Sequence, residues 1–208
     1  MGLIPYKNEP YLDWTDDSNQ KAMRRALEEV GSSLGGSYPL IIGGKRVETD
    51  GEVVSVNPSN PSQVVGRTGR ATEREADMAL ETATKSFDVW SKTQPEARAR
   101  ILLRAAAIMR RRKFEMLAWE VHEGGKPWAE ADAQVAEAID FLEYYAREML
   151  RLKDGVDIYS TPGEESRYFY QPMGVGVIIA PWNFPTAILT GMSSAAIVTG
   201  NTIVMKPS

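Results

Sequence analysis

One asparagine lies between two prolines near the end of the chain, in the run Pro181-Trp-Asn-Phe-Pro185. The two prolines restrict the backbone, so the side chain of Asn183 is held in a preferred direction. An asparagine amide donates two hydrogen bonds without a charge, and such donors stabilise an oxygen that becomes negative during a reaction. Asn183 is therefore a candidate oxyanion-binding residue. The alternative is that Asn183 caps the following helix and Trp182 fills the core.

A lysine near the end of the chain is the second candidate for chemistry. Lys206 directly follows the short apolar run Thr202–Met205, which is typical of a buried strand. A lysine at the end of a parallel strand can reach the ribose or a phosphate of a nucleotide. It can equally be an ordinary surface lysine, and the residue types alone leave both interpretations open.

The elements around these two residues predict where they lie. The continuous apolar run Val175–Ala180 is typical of a strand buried on both faces, and Thr186–Thr199 has the composition of a tightly packed helix. A strand, a crossover helix and a second strand form a unit with parallel strands. Ligands bind beyond the carboxyl ends of such strands. We therefore expect Asn183 and Lys206 at one edge of a parallel sheet.

The first third of the chain reads as an arm, a helix and short strands. An irregular arm precedes a helix over Asp16–Leu34, and Leu40–Val47 is a hairpin with a Gly-Gly turn. Val53–Val56 and Val64–Thr68 continue as short strands. This alternation of helices and strands indicates an α/β protein.

Three helices are predicted next. The first begins at the capping box Thr72–Glu75, and the second begins at the capping box Thr93–Glu96 and runs to Gly124. The third runs from Pro127 to about residue 150. Their apolar faces are expected in the core. For the second helix this face consists of Ile101, Ala105, Ile108 and Met109, and for the third of Ala131, Val135, Ala138, Ile139, Leu142 and Ala146.

The segment after these helices changes to an extended pattern. Residues 153–170 read as a long hairpin, which buries little surface by itself. Two interpretations have equal weight: the hairpin pairs with another subunit, or it packs on its own domain.

Composition narrows the classes of function. A net charge of −4 argues against a nucleic-acid partner, and the basic run Arg110–Lys113 is expected on a solvated helix face. No apolar run is long enough to span a bilayer and no signal peptide is recognised, so we expect a cytoplasmic protein without a membrane partner. With one histidine, His122, and no cysteine, no metal site is predicted.

Several motifs together resemble the aldehyde dehydrogenase superfamily. The run Pro181–Pro185 followed about twenty residues later by Lys206-Pro-Ser208 is similar to a specific pair of motifs of that family. Glu123-Gly-Gly-Lys-Pro127 and Tyr170-Gln-Pro-Met-Gly-Val-Gly176 resemble two more. The resemblance extends from about Leu40 to Ser208.

The N-terminal region resembles one branch of the family. Asn8-Glu-Pro10 and Tyr38–Gly44 are similar to the branch that oxidises L-glutamate γ-semialdehyde, the open form of 1-pyrroline-5-carboxylate. The resemblance implies the start of a Rossmann-type parallel sheet with helices. It also implies three regions, which are an arm and helix over 1–37, an incomplete NAD-binding domain over 38–152 and 171–208, and an oligomerisation hairpin over 153–170.

The resemblance also implies roles for individual residues. Asn183 matches the oxyanion asparagine of the family. Glu137 resembles an acidic residue that faces the active site in the semialdehyde branch, although a solvated or inter-helix carboxylate is an equal alternative, and Asp140 is expected to be structural. The positions that match the cofactor cleft are Ile179, Ala180, Pro181, Trp182, Lys206 and Ser208. The positions that match the wall of the aldehyde pocket are Phe184, Ala187, Ile188 and Gly191, together with Glu137.

The implied reaction is the oxidation of L-glutamate γ-semialdehyde to L-glutamate in proline degradation, with NAD as cofactor and NADP as an alternative. The family mechanism uses a cysteine thiolate that forms a thiohemiacetal with the aldehyde. The chain has no cysteine, so we expect it to be the N-terminal portion of a longer, homo-oligomeric enzyme and to be inactive alone. Two alternatives remain: a dehydrogenase for another semialdehyde, such as succinate semialdehyde, or a non-catalytic fragment that binds nucleotide or partner subunits.

Overall fold

The structure is a computed structural model that describes residues 4–208. Over these residues, helices and small sheets alternate, in agreement with the predicted α/β class. The helices are α1 (Asp17–Gly31), α2 (Glu73–Trp90), α3 (Pro95–Arg111), α4 (Lys113–Gly124), α5 (Trp128–Leu152) and α6 (Ala187–Val198). The strands are β1 (Gly36–Tyr38), β2 (Leu40–Ile42), β3 (Lys45–Val47), β4 (Glu52–Asn57), β5 (Asn60–Gly69), β6 (Val175–Ile179) and β7 (Thr202–Lys206).

The predicted strand–helix–strand unit is confirmed. β6 and β7 pair in parallel from Val175 opposite Thr202 to Ile179 opposite Lys206, and α6 connects them. The expectation that β6 is buried on both faces is wrong for the described chain. Ile178 is buried, whereas Val177 and Ile179 are more than half exposed. Helices therefore cover only one face of this strand.

The other strands form two small sheets. β1, β5 and β4 lie side by side, with β1 parallel and β4 antiparallel to β5. β2 and β3 form the predicted hairpin, and both glycines of its turn have positive φ angles. The predicted strands are therefore present, and β4 and β5 extend a few residues further than expected.

The hydrophobic core lies between the helices. The predicted apolar face of α5 is confirmed, since Ala131, Val135, Ala138, Ile139, Leu142 and Ala146 are all buried. Met23, Ala26 and Val30 of α1 belong to the same core cluster. The helix of the predicted N-terminal region, residues 1–37, thus shares a core with residues 38–152, while the domain boundaries themselves stay a prediction.

The single helix predicted from Pro95 to Gly124 is wrong. The chain leaves helical geometry at Arg112, with φ −102° and ψ 17°, so α3 and α4 are separate. Lys113 then turns inward and its ammonium lies 2.7 Å from the carboxylate of buried Asp132. The basic run 110–113 therefore does not form one solvated face. The desolvated ion pair with Asp132 compensates the burial of the Lys113 charge.

The predicted apolar face of α3 is confirmed in part: Ala105 and Met109 pack against the core, and the two isoleucines do not. Ile101 and Ile108 are exposed, and the buried positions are Ala99, Leu102 and Ala106 together with Arg98. Arg98 points inward because its guanidinium donates to the carbonyl oxygen of Val198, at the end of α6, over 2.8 Å. The apolar run of α3 is nearly continuous, so the sequence period alone does not select the face.

The two predicted capping boxes differ. At the start of α2, the N–H of Thr72 donates to the carboxylate of Glu75 over 2.8 Å, as predicted. At the start of α3, Gln94 is the N-cap and Thr93 donates instead to the carbonyl oxygen of Val89. The second capping box is therefore wrong, because the Thr93 hydroxyl is used by the end of α2. Pro95 occupies the first turn of α3 as expected.

The segment 153–170 is not a regular hairpin. A single bridge joins Val156 to Tyr168, and the remainder is irregular. Tyr159 is 84% exposed, and Phe169 and Tyr170 are also exposed. The predicted long hairpin is therefore present only as this one antiparallel bridge, because an isolated two-stranded ribbon gains too little buried surface to stay paired along its length.

Candidate active site

The candidate cofactor residues lie at one edge of the parallel sheet. The last residues of β6 and β7, Ile179 and Lys206, are direct partners in the register. Ile179 and Trp182 are 62% and 80% exposed, and Lys206 is exposed with its ammonium 2.7 Å from the carbonyl oxygen of Pro207. The structure thus brings together the predicted positions at the strand ends, and their roles in binding stay predictions. Ala180 is buried, while Pro181 and Ser208 are exposed at the same edge.

The loop 181–186 leads from this edge into α6. Asn183 is exposed, and the first turn of the helix is closed by the N–H of Ile188, which donates to the carbonyl oxygen of Phe184 over 3.1 Å. Thr186 is the N-cap, and no side chain in the described part of the chain caps α6. The two alternatives considered for this loop are therefore wrong, because Asn183 does not cap the helix and Trp182 does not fill the core. Within residues 4–208, the Asn183 amide makes no hydrogen bond that ties it to the start of α6.

A lysine from the Gly-Gly-Lys turn holds the backbone of this loop. The ammonium of Lys126 donates to the main-chain carbonyl oxygen of Asn183 over 2.8 Å and lies 5.1 Å from the centre of the Phe184 ring. A charged donor makes a stronger hydrogen bond than a neutral one, and a cation above an aromatic face adds to it. Lys126 thus fixes the loop at Asn183.

A buried carboxylate holds the far end of the loop. Glu120 of α4 is 4% exposed and accepts hydrogen bonds from the hydroxyl of Thr186 and, over 3.1 Å, from the amide of Gln134. Burial raises the pKa of Glu120 above its usual value, although the hydrogen bond from Thr186 opposes the shift. Sequence reasoning missed both Glu120 and Lys126. The available signals were a glutamate within the apolar run of α4 and a lysine in a recognised motif that had no assigned role.

The predicted pocket residues lie in different environments. Phe184 is exposed and Ile188 half-buried, whereas Ala187 and Gly191 are buried. A side chain at Gly191 would approach the ring of Phe141 to within 2.8 Å, so this glycine permits close packing of α6 on α5. The assignment of these residues to an aldehyde pocket stays a prediction.

Two of the acidic residues of α5, Glu137 and Asp140, lie in different environments. Glu137 is exposed, which both of its interpretations allow, and its role stays a prediction. Asp140 accepts hydrogen bonds from the Asn8 amide and the Glu9 N–H at 2.8 and 2.7 Å. Asp140 thus holds the N-terminal arm, in agreement with the structural role that was expected for it. In residues 4–208, no group of three acidic, histidine or cysteine side chains is arranged to hold a metal ion, and no helix is long and apolar enough to cross a membrane.

A parallel strand pair with a rigid Pro-Trp-Asn-Phe-Pro loop and a lysine at the strand ends is the combination that the resemblance implied. The sequence profile of the aldehyde dehydrogenase family matches residues 46–208. The chain belongs to the aldehyde dehydrogenase family.

Curated relatives within this family narrow the likeness. The chain is 58% identical over 204 residues to a 1-pyrroline-5-carboxylate dehydrogenase of Geobacillus thermodenitrificans, covering 98% of this chain and 40% of the relative. It is 53% identical over 206 residues to the protein of the same name from Bacillus mycoides, covering 99% and 40%. The chain thus spans about two fifths of the length of these relatives.

Solved structures agree with this likeness. A 1-pyrroline-5-carboxylate dehydrogenase from Thermus, crystallised with bound NAD, is 50% identical with a TM-score of 0.96, covering all of this chain and 40% of that chain. Proline utilization A from Bdellovibrio bacteriovorus is 41% identical with the same TM-score, covering all of this chain and 22% of that chain. The predicted aldehyde-dehydrogenase-like fold is confirmed.

Proposed function

We propose that this chain is the N-terminal portion of an NAD-dependent enzyme that oxidises L-glutamate γ-semialdehyde to L-glutamate in proline degradation. One observation carries the proposal for the site: the exposed Asn183, whose amide does not cap α6, lies on an anchored loop beside the carboxyl ends of two parallel strands. The choice of substrate rests on the names of relatives that are 50–58% identical over the chain.

The strand ends suit a dinucleotide. Ile179 and Trp182 present exposed apolar surface, and Lys206 places an ammonium next to Ile179 in the register. Apolar surface accommodates a flat ring, and an ammonium is a donor for ribose hydroxyls. NAD⁺, when bound, supplies the acceptor for the hydride of the aldehyde. In this proposal the residues that hold the cofactor are Ile179, Ala180, Pro181, Trp182, Lys206 and Ser208.

Asn183 supplies the catalytic contribution of this chain. Its amide donates to the aldehyde oxygen as negative charge develops there, and one such donor is worth about 3 kcal/mol in the barrier. The donor is effective only if it is already oriented, since reorganisation in the transition state would cost free energy. The contact of Lys126 with the Asn183 carbonyl supplies part of that orientation.

The test of the substrate is a comparison of rates in the full-length protein. We expect kcat/KM for glutamate γ-semialdehyde with NAD⁺ to exceed kcat/KM for succinate semialdehyde with NAD⁺. The same two measurements with NADP⁺ give the preference for the cofactor. Equal rates for both aldehydes would contradict the proposed branch but keep an aldehyde dehydrogenase. A protein that binds NAD⁺ and turns over no aldehyde would favour the non-catalytic alternative.

The segment 153–170 is proposed to join subunits of a homo-oligomer. Its exposed aromatic side chains and its single internal bridge support a surface that another subunit completes. The competing interpretation, packing on its own domain, gains little support from a segment with so few buried side chains.

A further inference from the structure

We propose that Lys126 is a positioning residue for catalysis, which keeps the Asn183 amide directed at the reacting oxygen by fixing the main chain of the loop. The inference rests on the proposed oxyanion role of Asn183. Lys126 itself acts through this loop and is not assigned a contact with substrate or cofactor.

The contact is short and directed. The Lys126 ammonium lies 2.8 Å from the Asn183 carbonyl oxygen, and the Phe184 ring lies below the same ammonium at 5.1 Å. Both partners belong to the loop, so the lysine binds two successive residues between the prolines. Because the Asn183 side chain leaves the backbone one bond from this carbonyl group, a shift of the carbonyl moves the amide with it.

Lys126 is itself held by a rigid turn. The N–H groups of Gly125 and Lys126 donate to the carbonyl oxygens of Val121 and Glu120 over 3.1 and 3.4 Å, which closes the end of α4. Gly125 has a φ of +64°, and a β-carbon there would lie 2.9 Å from the Pro58 ring. The turn therefore approaches the β4–β5 connection closely, and this limits the positions that Lys126 can take.

The same helix holds the loop at a second point. The buried carboxylate of Glu120 accepts from the Thr186 hydroxyl, three residues after Asn183. Lys126 and Glu120 thus fix the loop on both sides of Phe184 from one support, α4 and its C-terminal turn. Misplacement of a catalytic group by about 1 Å lowers rates by up to about 100-fold, so loss of one of two anchors has a measurable effect.

The experiment is a double-mutant cycle in the full-length enzyme. We expect Lys126→Met to lower kcat by about 10- to 100-fold with the KM for NAD⁺ unchanged. In the Asn183→Ala background the same change should have an effect close to 1-fold, because the group that Lys126 orients is gone. Lys126→Arg, which keeps a charged donor, should restore most of the rate. Lys85→Met, which removes an exposed lysine paired with Glu81 on α2, is the matched control and should leave kcat unchanged.

Several outcomes would overturn the inference. These are an unchanged kcat in Lys126→Met, an equal loss of kcat in both backgrounds, or a loss that arginine does not restore. If the methionine variant does not fold, Lys126→Gln, which keeps a neutral donor, takes its place in the cycle. We expect this variant to lose part of kcat, less than the methionine variant would. An unchanged kcat would contradict the inference.

A crystal structure separates this inference from the proposed function. In Lys126→Met, the Asn183 amide should occupy a different or mixed orientation compared with the wild type, whether or not the enzyme turns over an aldehyde. An unmoved, singly oriented amide would contradict the positioning role. A wild-type protein without aldehyde turnover would contradict only the proposed function.

Discussion

Two regions of the chain expose aromatic side chains, and they differ in what holds them. In the loop 181–186, Trp182 and Phe184 are exposed, yet Lys126 and Glu120 bind the loop from α4. In the segment 153–170, Tyr159 and Phe169 are also exposed, and the backbone pairs with itself only at the bridge between Val156 and Tyr168. Exposure alone therefore does not distinguish a binding site from an assembly surface.

The difference lies in the supporting contacts. A loop fixed by charged and buried groups of its own chain is ready to bind a small molecule, because little ordering remains to be done on binding. A segment with few internal contacts gains its order from whatever covers it. Substitutions in the first region should therefore change chemistry or subunit stability, and those in the second should change assembly.

The largest expected effect is at the centre of the anchored loop. Asn183→Ala in the full-length enzyme should lower kcat by about 100- to 1,000-fold, because one oriented donor to the developing oxyanion is lost. The KM for NAD⁺ should change little. Steady-state kinetics would check this. The control is Asn60→Ala, which changes an exposed asparagine at the start of β5. Lost NAD⁺ binding with kcat retained would mean that Asn183 has another role.

Behind the loop, close packing should be sensitive to one added methyl group. Gly191→Ala places a β-carbon 2.8 Å from the Phe141 ring, so we expect a loss of about 1–3 kcal/mol in the free energy of unfolding. Denaturant unfolding of the variant beside Gly51→Ala, whose β-carbon would meet only the Arg70 side chain at 3.6 Å, measures the difference. Equal midpoints for both variants would show that α5 and α6 separate easily.

The buried anchor should give a smaller effect that depends on pH. Burial raises the pKa of Glu120 in the folded state, so the folded protein holds this proton more tightly than the unfolded chain does. The wild type then loses stability as the pH rises from the unfolded-state value of 4.5 through the raised folded-state pKa. Glu120→Gln does not lose stability in this way, because glutamine does not titrate. As the pH rises over that range, the melting temperature of the variant should therefore increase relative to that of the wild type. A difference that stays constant with pH would contradict the raised pKa.

The smallest effect on subunit stability is expected in the segment 153–170. Tyr159→Ser changes a residue that is 84% exposed, so the free energy of unfolding of the subunit should stay within about 0.5 kcal/mol of the wild type. The mass in solution, measured by light scattering, should instead shift toward smaller assemblies. An unchanged mass with a lower melting temperature would favour packing of this segment on its own domain.

Features that depend on neighbouring residues were predictable from the sequence. The apolar run of β6, the crossover helix and β7 follow from local patterns, and they place Asn183 and Lys206 at one sheet edge. The capping box of α2 and the apolar face of α5 were also predictable, because each repeats a motif or period within one element.

Features that depend on distant partners were not predictable. The buried face of α3 follows from Arg98 reaching the end of α6, and the break at Arg112 accompanies the burial of Lys113 beside Asp132. No period in the local sequence contains these contacts. The extended pattern of 153–170 likewise predicts a long hairpin, whereas the structure pairs it at one bridge. The local pattern does not show how much surface the segment buries against its neighbours.

The sequence by itself determined the family, the parallel strand unit and the identity of the candidate oxyanion donor. These rest on residue types and short spacings, which the chain carries in linear form. Only the tertiary structure decided how that donor is held. The anchors of the loop, Lys126 and Glu120, precede their partners by 57 and 66 residues, and folding alone brings a charged donor and a buried carboxylate to the backbone on either side of Phe184.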